Sequence, residues 1–86
     1  MTEMEIVEIG IVKHFFSKIN VAIIELTGKL SVGDNILVKG PTTDFEMTVD
    51  SIQVEHRNIQ SAEGGGQVGL KVIAAAKERD AVYKKK

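Results

Sequence analysis

Residues 28–40, GKLSVGDNILVKG, constrain the fold of this chain more than any other stretch. They read as two tight turns flanking a short strand. Gly28 and Gly33 supply backbone angles that a residue with a side chain reaches only at a cost. Asp34 can hydrogen-bond to nearby backbone and hold the turn after Gly33. Ile36 and Val38 then alternate with Leu37 and Lys39, the period of two of a strand, until Gly40-Pro41 ends it. Leu30 and Val32 are placed to hold the loop down over one end of a core. A corner of this kind predicts a small closed β-barrel.

The rest of the chain reads the same way. Residues 6–16 are rich in β-branched and aromatic side chains and predict a first strand. Gly10 inside it signals a bend or a close backbone approach. Residues 19–26 (INVAIIEL) predict a second strand whose alternation slips: Val21 and Ile23 share one face, Ile24 and Leu26 the other. Either a bulge re-aims these side chains or both faces are partly covered. Residues 42–44 turn the chain into a fourth strand that begins Phe45, Met47, Val49. The inward parity then switches to Ile52 and Val54, which predicts a second bulge at a barrel corner. The loop at 60–66 ends in three glycines. Val68, Leu70 and Val72 alternate with Gly69 and Lys71 as a fifth strand, and Gly66 and Gly69 are assigned to turn geometry with Gly28, Gly33 and Asp34. Residues 74–80 are ambiguous, with the propensity for one helical turn but too few residues to hold it. Val82-Tyr83 forms a last short strand. The expectation is an all-β fold, a small closed six-stranded barrel of Greek-key type. It forms a single domain over 1–86, with residues 1–4 and 84–86 frayed at its ends.

Composition removes several functions. With 86 residues there is room for one modest core. The absence of cysteine excludes disulfides and thiolate metal sites and fits a reducing cytoplasm. No apolar run approaches a membrane span, and glutamates near Met1 are the opposite of a basic signal-peptide start. A net charge of −1 requires any nucleic-acid surface to be a local patch. His14 and His56 are the only histidines and show no ligand spacing, so no metal and no cofactor is predicted. Residues 64–66 could suggest a phosphate cradle, but a strand follows them where such loops need a helix N-terminus. No nucleophile motif is present, and no catalysis is predicted.

Two polar runs remain as candidate sites. The first, 54–57 (VEHR), offers Glu55, His56 and Arg57, the last able to take a phosphate bidentately. Its plainer reading is a strand edge blunted by charge. The second, 13–18 (KHFFSK), interleaves Lys13 and His14 with aromatics. Neighbouring strand residues face opposite sides, so at most one of Phe15 and Phe16 points into the core. The other could stack on a base or fill a partner's pocket, or cap the barrel end. Lys84 to Lys86 is too short for a polybasic anchor.

The order of a glycine-bearing first strand, TGKLSVGDNILVKG, a strand ending VEHR and then AEGGGQVGL resembles domain two of the translational GTPases. Elongation factor Tu and its relatives carry a G-x-hydrophobic-x-V-G-D turn, matched by residues 28–34. They also carry an A-x-x-G-x-x-V-G-hydrophobic turn, matched by residues 62–70. The C-terminal barrel of collagenase-like peptidases looks closer still over most of the chain. Residues 10–16, 32–40, 43–46, 52–56, 66–72 and 82–83 resemble it. The first resemblance places Glu55 near the pocket for the aminoacylated tRNA end, although the connection to Gly64 is shorter here. It implies a non-catalytic module binding RNA, tRNA or the translation machinery. The second implies an accessory module docking on a partner protein. The P-loop of the GTPases is absent, and 86 residues cannot also hold a peptidase's catalytic portion. A homodimer is a further expectation, since slipped strands can leave an apolar face or an open edge.

Overall fold

The computed structural model describes residues 6–55 and 57–85, and every regular element among them is a strand. In order these are β1 (Ile6–Phe16), β2 (Val21–Leu26), β3 (Leu30–Ser31), β4 (Asn35–Lys39), β5 (Asp44–Thr48), β6 (Ile52–Val54), β7 (Arg57–Ile59), β8 (Ser61–Ala62), β9 (Gln67–Lys71) and β10 (Ala81–Lys85). Eight of them form one antiparallel sheet in the order β5-β4-β10-β1-β2-β9-β6-β7, while β3 and β8 pair separately. The fold is all-β. The observed ladders form a linear series rather than the expected closed six-stranded ring: among the described residues none joins β5 to β7. No helix among the described residues is long and apolar enough to cross a membrane.

The spine is β1. Its first half pairs with β10 and its second half with β2, and the register slips once on each side, past Ile9 and past Lys13. Each slip is a bulge, which bends the strand and resets which side chains face inward. Ile9, Gly10 and Val12 are therefore all buried, and Phe15 rather than Phe16 turns toward the core. Gly10 is a close approach: a Cβ there would stand 2.7 Å from Ile24 Cγ2 and 2.8 Å from the Glu25 carbonyl oxygen. The core beneath is aliphatic, with Ile24, Leu26, Leu30, Ile36, Ile52, Leu70 and Val82 all essentially sealed from solvent. Burial on this scale is the dominant favourable term in folding.

The turn at 31–34 has the bonding of a type II turn. The Asp34 amide donates to the Ser31 carbonyl at 3.1 Å, and Gly33 has φ +94° at the position that requires it. Asp34 Oδ2 accepts from the Ser31 amide at 2.8 Å and meets Lys84 Nζ at 3.2 Å. Gly28 does not adopt a left-handed angle; it lies close against Ile9, to whose carbonyl its amide donates.

Three expectations change. The parity switch after Val49 is not a bulge in one strand but a crossover. β5 ends on one edge of the sheet, and β6 begins beside β9 near the other. Residues 74–80 form no helix; Ala76 and Asp80 are buried, and a turn at 77–80 closes through Asp80 Oδ2, which accepts from the Lys77 amide at 2.8 Å. The expected fraying at 84–86 does not describe Lys84 and Lys85. Both pair in β10, and Lys85 Nζ donates to Glu46 Oε2 at 2.6 Å. Residues 1–4 and Lys86 lie outside the described residues.

Gly40 is the most closely approached of the glycines, because a Cβ there would overlap Asp80 Oδ1. Gly66 has open space and no left-handed angle. Gly40→Ala should lower the unfolding free energy by about 1–3 kcal/mol through overpacking against a buried carboxylate. Gly66→Ala should raise it by about 0.4–1 kcal/mol by restricting the unfolded chain. Urea denaturation followed by circular dichroism measures both, and equal shifts would contradict the packing described.

Candidate functional site: an apolar groove on the outer sheet face

The inward side chains of β2 are Ala22, Ile24 and Leu26, all buried. That leaves Val21 and Ile23 on the opposite face, half-buried without belonging to the core. Beside them in β9 lies Gly69, paired with Ile23 on one side and Gln53 on the other. Having no side chain, Gly69 leaves a depression in the outer face. The result is a groove of about 370 Å³ across β2, β9 and β6. That is at the small end of ligand-binding clefts, room for one or two side chains.

One wall comes from the β1–β2 turn. Phe16 and Ile19 stand there, 50% and 58% exposed, far more than apolar side chains of this size need to be. The bulge at Lys13 is what turns Phe16 outward to this position. The opposite wall comes from the β6–β7 pair, where Gln53, Val54 and Glu55 join the lining. Gln53 and Gln67 add two amides, and Gln53 Nε2 donates to Asn58 Oδ1 at 3.1 Å. Glu55 has φ +51°, a left-handed conformation that two-residue hairpin turns normally give to asparagine or glycine. A glutamate there is locally unfavourable.

The sequence candidates separate. Phe16 and Glu55, remote in the chain, come to the same groove. Lys13 is exposed at the bulge, and Arg57 is exposed in β7 opposite Val54; neither lines the groove. His14 Nδ1 lies 3.2 Å from Glu78 Oε2, with both side chains largely in water, where such a pair contributes little. Its ring centroid is 6.4 Å from that of Phe16. His56 lies outside the described residues. Val54 ends β6 and Arg57 opens β7, so these two residues belong to two paired strands rather than to the end of one. Gly66 sits at the end of the 64–66 turn, its carbonyl accepting from the Leu26 amide, whereas Gly69 is a mid-strand residue. The residues that reading for charge and motif overlooked are Val21, Ile23 and Gly69. Their signal was the slipped alternation in β2, resolved in favour of a partly covered outer face.

Chemically the groove can hold an apolar group and place one carboxylate and two amides beside it. Among the described residues no cluster of three potential metal ligands occurs.

No family model matches the chain. Over 78 residues, 90% of its length, the chain is 42% identical to an uncharacterised protease of Methanocaldococcus jannaschii. Over 72 residues it is 31% identical to a collagenase of Porphyromonas gingivalis. The chain spans about a fifth of the length of these curated relatives, 19% and 20%. In fold it is similar to the crystal structure of the C-terminal domain of a U32 peptidase from Geobacillus thermoleovorans, with a TM-score of 0.85 and 18% identity. That likeness covers 91% of each chain. These similarities point to the β-rich C-terminal domain of collagenase-like and U32 peptidases. The resemblance to elongation factor Tu gains no support from them.

The left-handed angle at Glu55 has a measurable consequence. Glu55→Asn should raise the unfolding free energy by about 0.5–1 kcal/mol, since asparagine tolerates this conformation better. An unchanged denaturation midpoint would show that the turn stores no such strain.

Proposed function

We propose that this chain is a non-catalytic accessory module of the kind that forms the C-terminal domain of collagenase-like peptidases, and that it acts by docking on a protein. The observation that carries this reading is one of proportion. The similarity takes in 90% of the chain but only 19% of the M. jannaschii protease, and the fold matches an isolated peptidase C-terminal domain over 91% of each chain. These proportions support reading the chain as the equivalent of one domain of such a protein. The groove supports docking over chemistry, because its lining holds apolar side chains, two amides and one carboxylate, without a nucleophile-and-base pair. The same lining argues against RNA: a phosphate chain needs cations, and the one ionised group among the described lining residues is Glu55. The lack of cysteine is consistent with a cytoplasmic location.

The test uses the M. jannaschii protease lacking its matched segment, mixed with this chain and followed by gel filtration and calorimetry. A 1:1 complex that persists from low to moderate salt, with no peptide hydrolysis by the chain alone, supports the reading. Failure to associate, or instead saturable binding of bulk tRNA that weakens steeply with salt, would overturn it.

A further inference from the structure

We propose that the outer-face groove is a recognition site for an extended segment of a partner protein, one that presents a large apolar side chain with a lysine or arginine two residues away. The inference rests on the docking reading above and names the surface and the chemistry of what it receives.

The floor and near wall of the groove are apolar. Val21 and Ile23 are outward-facing aliphatics in the middle of a sheet, and Phe16 and Ile19 project beside them with half or more of their surface in water. Isolated apolar residues on a surface need no explanation, but a concave cluster of four does. Gly69 gives the cluster its depth. A Cβ at Gly69 would meet Val21 Cγ1 at 3.5 Å and Ile23 Cδ1 at 3.6 Å, ordinary contact distances, and its backbone angle is not left-handed. Neither packing nor conformation therefore requires glycine at this position. Its effect is to keep the groove empty.

The charged half is Glu55. It occupies a left-handed turn position that favours other residues. Residues held in sparsely populated backbone regions concentrate at binding sites, where the side chain and not the turn is what matters. Glu55 is the one acidic residue in the lining of an otherwise uncharged, largely apolar cleft, and its charge favours a cation on whatever enters. Spacing follows from the sheet. The groove runs from β2 across β9 to β6, two strand spacings or about 10 Å. In an extended segment, residues i and i+2 share a face about 7 Å apart, and the reach of a lysine or arginine side chain covers the remainder. Gln53 and Gln67 are placed to bond the segment's backbone between these two points.

The probe is the blocked peptide acetyl-Thr-Ser-Phe-Thr-Lys-Ser-Thr-amide, titrated into the isotopically labelled chain by NMR. Two control peptides carry glutamate in place of the lysine, or alanine in place of the phenylalanine. Saturable shifts at Ile23, Gly69 and Glu55, with a Kd on the order of 100 µM, are expected for so small a contact. The glutamate control should bind about fivefold to tenfold more weakly, and Glu55→Gln should erase that discrimination. Gly69→Val should abolish binding by filling the groove. Phe16→Ala, at an exposed position, should weaken it while leaving the thermal midpoint unchanged. Equal affinity for the lysine and glutamate peptides would overturn the proposal, as would binding untouched by Gly69→Val in a folded variant. So would the absence of any shift at about 1 mM peptide. If association with the truncated M. jannaschii protease nevertheless persists and is indifferent to Gly69→Val, the accessory role stands and its docking surface lies elsewhere.

Discussion

The bulge at Lys13 in β1 is the constraint on which both the core and the groove depend. Without it, strict alternation from the buried Val12 would send His14 and Phe16 inward and Phe15 out. With Lys13 unpaired against β2, the parity resets, Phe15 packs toward the core, and Phe16 stands on the outer face across from Val21. The companion bulge at Ile9 does the same for the other half of the strand, burying Ile9 and Gly10 in succession. Two slips in one strand let β1 bend between two partners, and the sheet curls over its core as a consequence.

Stability and accessibility are divided between the two faces of β2. Its inner side chains, Ala22, Ile24 and Leu26, are sealed, and the sheet needs nothing more from this strand. Its outer side chains could have been polar at no cost to the core. Glu25 is polar, but Val21 and Ile23 are instead aliphatic beside a glycine, with a phenylalanine and an isoleucine left half exposed at the turn. Such a face carries a risk of association. The tight fit of Asp80 against Gly40 shows how differently a purely structural region is built, with the polar group enclosed and hydrogen-bonded.

Likeness to peptidase C-terminal domains gives the groove a context without assigning it a reaction. The matched segment is about a fifth of the M. jannaschii protease. Fold and function remain separate claims here: the similarity in fold concerns the sheet, and the reading of function rests on the outer face.

The amino-acid order determined the strands. Residues 6–16 read as one strand and are one; the alternation at 68–72 and the G-D turn at 33–34 behave as their local chemistry dictates. Period-two patterning and turn chemistry are local properties, so they are visible without a fold. Long-range pairing is not. That β5 and β6 would part to opposite regions of the sheet depended on which strands offered free edges, as did the pairing of β8 with β3 and of Lys84 and Lys85 in a last strand. The groove lay deeper still. Phe16, Ile23, Glu55 and Gly69 come from four separate stretches, and only the bulge at Lys13, the pairing of β6 with β7 and the register of β2 on β9 bring them together. The slip in β2 left a bulge and a partly covered outer face equally open, and the depth of that face was decided by the absence of a side chain on the neighbouring strand, which no local pattern encodes.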